Sequence, residues 1–455
     1  FSQSKSELMK FHRTILYFSL FSISVSLTAD CVQGDCNNGI GTMTYPYGEK
    51  YVGGWKNGQK NGNGKYFFQN RDLYDGEWKE GKFHGKGIFV FSAGSKYSGS
   101  FKNGEMEGYG VYQYAEGFVY KGDFKSSKRS GKGVYTFPDG DEYSGDFKDD
   151  KFSGQGSYKY ASGDLYTGEF RNDKFHGKGR LVMSNGDIYE GGFANGAKEG
   201  NGSYQFANKS RYTGEFLKDR FNGKGVYVFA NGDVFEGEFR DDKYFGQGQY
   251  TYANGTKYAG MFNNDKFNGG GSIVNADGTR YVGGFKDDLY HGKGTLTYQN
   301  GDSYSGDFRA GLYHGRGTMM YSSGDKYQGE FAYGKRHGTG VYTYANKDKY
   351  IGEFKDDVFS GKGLYHFSDG SIYEGQFEND RYNGKGIYTY SSGDRYEGEF
   401  LDDMRHGYGT YVTVDGIKYV GEYKNDLKNG QGILSDKSGR VIYSGQWVEG
   451  QQANK

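Results

Sequence analysis

Aliphatic residues are scarce in this 455-residue chain, and proline and cysteine occur only twice each. Hydrophobic residues make up 34% of the chain, and aromatics alone account for 18%. A helical enzyme core needs a bulk of Leu, Ile, Val and Ala, so the shortage argues against one. Two prolines exclude collagen, which needs abundant proline and glycine at every third position. Two cysteines with no histidine close by do not make a zinc site. An excess of one charge is also lacking, since Lys+Arg and Asp+Glu each total 57. Nucleic-acid binders draw much of their affinity from a basic excess, so nucleic acid is not an expected partner. What is present is 81 glycines, 46 tyrosines and 35 phenylalanines. Disordered chains are poor in aromatics, which leaves a glycine/aromatic β protein, with internal repetition expected.

The N-terminal segment stands apart. Met9-Lys10-Phe11-His12-Arg13 is basic, 14–28 is mostly apolar, and Ala29, Asp30 and Cys31 follow. Basic start, short apolar stretch and small residue read as a secretory signal over 9–29. A membrane span needs about 20 apolar residues, and this stretch is shorter and rich in serine. The alternative is an anchor through 14–29. Residues 1–8 precede the first methionine and are expected to lie upstream of the true start. The expected location is therefore secreted or cell envelope. Residues 30–38 form a cysteine-containing cap. Cys31 and Cys36 could pair in an oxidising compartment, against two free thiols or an acylated Cys31.

From residue 39 to 455 one motif repeats. Tyr51-Val52-Gly53-Gly54-Trp55 recurs as Tyr74-Asp75-Gly76-Glu77-Trp78 and as Tyr97-Ser98-Gly99-Ser100-Phe101, 23 residues apart each time. The period holds from Tyr51 to Tyr419, and the last interval, to Tyr443, is 24. Counted from each leading Tyr, glycine fills offset +2 and an aromatic fills +4 in all eighteen copies; all three Trp sit at +4. Glycine also fills +11 and +13 in the seventeen complete copies. The leading Tyr is replaced once, by Phe235, and Gly39-Ile40-Gly41 falls in register as half a repeat.

Offsets 0, +2 and +4 share parity, so they face one way on a strand, and +11, +13, +15 and +17 do the same on a second strand. Offset +15 is usually aromatic, as at Tyr112, Tyr135, Tyr158 and Tyr204. The positions between are polar, as at Lys121 and Asp123. Each repeat is thus expected to be a hairpin with an aromatic face and a polar face. Glycine at +2 and +13 leaves room for rings of the neighbouring strand to lie on bare backbone. A polar turn is expected near +5 to +10 and a turn-like link near +18 to +21. Successive hairpins build an all-β, elongated, twisted antiparallel meander, with a last copy that lacks its second strand.

The pattern Tyr-x-Gly-x-Phe followed by Gly-x-Gly resembles the MORN (membrane occupation and recognition nexus) repeat over about 39–455. The resemblance implies β-hairpins in an elongated twisted sheet, and protein binding, self-association or membrane-lipid association. Familiar members often carry a catalytic domain beside the repeats, and none follows here. The secretory signal departs from intracellular members.

Deviations from the motif are the candidates for function. Offset +9 is normally Phe or Tyr but is Lys60, Arg129, Lys198, Arg336, Arg405 and Lys428 in six copies. The first five fall on a 69-residue spacing with one gap, at Phe267. They read either as a basic row for anionic headgroups or an acidic partner, or as a relic of block duplication. Glycine at +20 fails only at Arg71, Lys209 and Lys347, 138 residues apart, which favours duplication. Six histidines share offset +10: His84, His176, His291, His314, His337 and His406. Repeats about 10 Å apart are too far apart for one metal to bridge, so they read as turn residues. Walker, zincin and serine-elbow motifs are absent, as is any isolated carboxylate pair; neither enzyme activity nor a cofactor is expected. Asn201, Asn208 and Asn254 begin glycosylation sequons. Two functions remain: an exported scaffold that binds a protein partner, itself or a membrane surface, and a polysaccharide binder whose exposed rings, Tyr135 and Tyr158 among them, stack on sugars. Inward-facing rings favour the first and solvent-facing rings the second.

Overall fold

The computed structural model describes residues 29–453. Residues 1–28, which hold all of the expected leader (9–29) and anchor (14–29) except Ala29, lie outside it, as do 454–455. Among the described residues no helix is long and apolar enough to cross a membrane. The chain divides into two units, one running to Ala230 and including Phe239–Asp242, the other comprising Asn231–Glu238 and everything from Lys243 onward.

Both units are antiparallel meanders of hairpins. In the first, the strand Lys96–Lys102 pairs with Glu105–Gln113, which pairs in turn with Val119–Lys125. In the second, Lys257–Asn263 pairs with Lys266–Val274, and that with Arg280–Lys286. The only helical element described is a three-residue 3-10 turn, Pro46–Gly48. The repeat therefore folds as its two-residue alternation dictates.

The hairpin turn is tighter than the sequence suggested. It comprises only offsets +6 and +7, and both residues have positive φ, as at Asp149 (49°) and Asp150 (69°). Such two-residue turns match the right-handed twist of the strands and favour Asn, Asp and Gly, the types found there in most copies. The second strand therefore starts at +8, and the six histidines at +10 lie on a strand rather than in a turn. Two extra residues of that strand bulge against its partner: Gly99 opposes Gly110 while Phe101 opposes Met106. The bulge keeps +9 on the same face as +13 and +15.

Rings make the core. The leading tyrosines Tyr97, Tyr120, Tyr258 and Tyr281 are fully buried, although each sheet is one layer thick. Tyr258 stacks on Phe267 with centroids 3.7 Å apart, and the edges of Phe262 and Phe285 close it in at 5.0 and 5.1 Å. Its hydroxyl donates to the Met261 carbonyl oxygen at 2.8 Å. The glycines at +2 and +13 do leave space for a ring, that of the repeat's leading tyrosine, which reaches +13 from the neighbouring strand as expected and +2 from its own strand. A Cβ on Gly110 would meet Tyr97 Cε2 and Oη at 2.5 Å.

Asp30–Gly34, in the expected cap, is a strand paired with Ile40–Thr44, and Cys31 is disulfide-bonded, the first of the alternatives weighed above, to Cys36 in the turn between the two strands. The last copy carries a stub of its second strand, with Val448 opposite Gln451.

Candidate functional site

Two rows of aspartates join successive hairpins at their two ends. At the turn end, Asp at +7 accepts the backbone N–H of residue +9 in the preceding repeat: Phe152 N–H to Asp173 at 2.8 Å, Phe267 N–H to Asp288 at 2.7 Å. At the link end, Asp at +21 receives two donors from the next repeat. Asp141 accepts the Ala161 N–H through one oxygen and the Tyr158 hydroxyl through the other, both at 2.8 Å. Asp187 repeats this with Ala207 and Tyr204. A third row, Glu or Asp at +3, spans the bulge on the polar face, as when Glu77 accepts the Lys86 N–H at 2.8 Å. Each carboxylate takes a donor that the irregular backbone leaves outside the ladder, which is how buried or half-buried amides avoid an unmade bond. None of these rows is visible in local spacing. The signal is the recurrence of Asp at +7 and +21, which acts between repeats.

The basic residues at +9 lie on the aromatic face. Arg129 is 7% exposed; its guanidinium carbon is 4.9 Å from the Tyr135 ring centroid, and its Nε is 3.3 Å from Asp150. Arg336 holds the same relation to Tyr342 and Asp357, and Arg405 to Tyr411 and Asp426. Lys198 lies over Tyr189 and Tyr204, with Asp219 3.8 Å away. Lys60 has four rings about its ammonium, Tyr66 nearest at 3.9 Å to the centroid. Burial pushes its pKa down to about 8, with Glu49 acting in the opposite sense. Lys428 sits over Tyr419 and Trp447. In each case the cation takes the place of the ring found at +9 elsewhere, a cation–π exchange that keeps the stack closed.

The remaining sequence candidates are scattered. Asn201 is exposed on the strand Ala197–Gln205, while Asn208 and Asn254 lie in links, where their side-chain oxygens accept the Ser210 and Thr256 N–H groups. Among the described residues no group of His, Cys, Asp and Glu is arranged to hold a metal ion. Tyr135 and Tyr158 are 5% and 4% exposed. On the polar face an open hollow is lined by Asp75, Lys86, Ile88, Ser98 and Tyr109.

Compared with known families, the chain matches the MORN repeat in consecutive 23-residue blocks from 51–73 to 396–418, and again at 419–439 and 443–453. No curated protein shows a significant match. Among solved structures, the SAS-4 (dCPAP) TCP domain of Drosophila melanogaster, in complex with a proline-rich motif of Ana2 (dSTIL), is 17% identical with a TM-score of 0.24, covering 39% of this chain and 90% of that one. The TCP10c domain of Drosophila melanogaster Sas-4 is 17% identical at 0.22, over 39% and 99%. The wild-type TCP10 domain of Danio rerio CPAP is 12% identical at 0.14, over 69% and 99%. At those scores the three structures add nothing to the repeat match.

Proposed function

Because this chain belongs to the MORN repeat family, we propose that it is a non-catalytic scaffold that works by holding a protein partner on its surface. The observation that carries this reading is where the recurring chemistry goes. The leading tyrosines are buried on their own glycines, and the aspartate rows are bonded to the adjacent repeats. Selectivity is then left to the positions that differ from copy to copy, as expected of a stacked repeat protein. Sugar stacking would need open rings, and the near-complete burial of Tyr135 and Tyr158 counts against it. Export belongs to the same proposal. It is supported by the leader-like composition of 9–29 and by the Cys31–Cys36 bond, which suits an oxidising compartment.

Cross-linking capture from cells that make the protein, followed by reconstitution from purified components, tests the scaffold. A saturable complex with residues 30–455 is expected. Glycan-array binding that is lost on Tyr135→Ala and Tyr158→Ala, with no protein complex, would replace this reading with the sugar one. Mass spectrometry of the mature N-terminus tests export: a chain beginning near Asp30 is expected, and a retained Met9 would contradict it.

A further inference from the structure

The turn end of the second unit changes character over three successive repeats. At offset +8 most copies carry a polar residue, as at Lys243 and Lys266, but here it is Leu289 and then Leu312, each 49% exposed. At +6 and +7, where flanking copies have Asp287-Asp288 and Asp356-Asp357, the next two turns read Ala310-Gly311 and Tyr333-Gly334. Tyr333 is 84% exposed and has φ 53°, a left-handed conformation that suits the Asn or Asp found at this offset in most copies and not a bulky ring. The leucines lie beside the glycines of the next turns. A Cβ on Gly311 would lie 3.9 Å from Leu289 Cδ2, one on Gly334 3.7 Å from Leu312 Cδ2, and the His314 and Tyr333 rings are 6.4 Å apart. A large aromatic held open to water on a strained turn, beside exposed leucines, marks an interaction site.

The charge around the patch says what fits it. Gly311 and Gly334 donate their N–H groups to the Tyr290 and Tyr313 carbonyl oxygens at 2.9 Å, as the turn residues of other repeats do. They carry no carboxylate to accept the Tyr290 and Tyr313 N–H groups, a role that Asp265 and Asp288 fill for Tyr244 and Phe267. Arg309 and Lys335 border the same turns, and among the described residues neither is in an ion pair. The patch thus combines exposed apolar groups, two backbone donors without their usual carboxylate, and unpaired cations. Glycine at +7 recurs at Gly58, Gly81, Gly104, Gly196 and Gly450, but there the preceding turn residue is Asn57, Glu80, Asn103, Asn195 or Glu449, so none sets an apolar residue at +6 beside the glycine.

We propose that the turns bearing Leu289, Ala310, Leu312 and Tyr333 dock an acidic, partly apolar segment of a protein partner. Its carboxylates take the positions left by the missing aspartates, and its apolar side chains cover Tyr333 and the leucines. This rests on the scaffold reading and names the partner's chemistry. An anionic membrane fits less well, because the Asp287-Asp288 and Asp356-Asp357 turns on either side would be pressed against it.

Panning a phage-displayed random 12-residue peptide library on residues 30–455 tests the assignment. The variants Tyr333→Asn, Leu312→Lys and Gly334→Asp each restore the residue type common at that offset, so the turn is retained or strengthened. Enriched peptides should have net negative charge and at least one aromatic or leucine. Their affinity should fall at least tenfold on Tyr333→Asn/Leu312→Lys, and also on Gly334→Asp, whose carboxylate fills the vacant position. Enriched peptides that bind the variants equally well would overturn this site while leaving the scaffold reading standing. No enriched peptide at all would count against both. Binding to phosphatidylserine vesicles that is lost on Tyr333→Asn would overturn the protein assignment in favour of a lipid surface.

Discussion

A methyl group added at Gly271 should do far more damage than one added at the adjacent Gly270. On Gly271 a Cβ would meet Tyr258 Oη at 2.7 Å and two ring carbons at 2.9 Å, distances that real Cβ contacts do not show. The ring cannot yield easily, because Phe267 stacks on one side and the edges of Phe262 and Phe285 enclose it. Overpacking of this kind costs about 1–3 kcal/mol, and losing the hydroxyl bond to the Met261 carbonyl adds about 1 kcal/mol. Gly270 is exposed, has no left-handed φ, and has nothing within 4 Å of its Cβ position. There alanine should be neutral or stabilise by about 0.4–1 kcal/mol through the unfolded chain. Hydrogen exchange resolves the difference locally, which suits an array whose stability is spread along the chain. Gly271→Ala should speed exchange across 257–286 roughly 30- to 1000-fold, at about tenfold per 1.4 kcal/mol. Equal exchange in the two variants would refute the ring-on-glycine account.

High pH should unfold the protein steeply. Burial raises the Tyr258 and Tyr281 hydroxyls to about 12 from an ordinary value of 10.0. A group with a raised folded pKa stabilises fully below its unfolded value and loses that contribution as pH climbs toward the folded one. The window is therefore pH 10 to 12, at about 1.4 kcal/mol per pH unit for each tyrosine. Circular dichroism that stays flat through that window would contradict it. Arg129→Phe restores the usual ring and keeps the backbone bond to Asp150, so its denaturation midpoint should stay within about 1 kcal/mol of the parent's. Arg129→Ala empties the stack and should cost about 2–3 kcal/mol by the same urea titration. Phe235→Tyr should gain about 1 kcal/mol, because the new hydroxyl can reach the Glu238 carbonyl as other leading tyrosines reach the equivalent oxygen. Slower local hydrogen exchange over 234–251 is the readout.

Much of the fold was legible because strand parity is a local property. Tyr51, Gly53 and Trp55 share a face in the sequence and in the structure, and the glycines at +2 and +13 lie under a ring as their spacing implied. The turn was drawn too long because runs such as Lys148-Asp149-Asp150-Lys151 look uniformly polar. Only the pair that takes positive φ is the turn, and the lysines are strand ends. Arg129, Arg336 and Arg405 looked like surface charge because they are charged, although +9 shares parity with +13 and +15, which already placed them among the rings. The aspartate rows were out of reach for another reason. Asp173 and Phe152 are partners 21 residues apart, and nothing near either one reveals the bond. The docking patch shows only when the turns are compared copy by copy, where Tyr333 stands in a place for Asn or Asp.

Titration calorimetry of residues 30–455 against the purified partner, with intact-mass measurement of both proteins afterwards, tests most directly that this chain acts by adhesion. Saturable binding with both masses unchanged is the predicted result. A partner that emerges cleaved, conjugated or otherwise altered would contradict it.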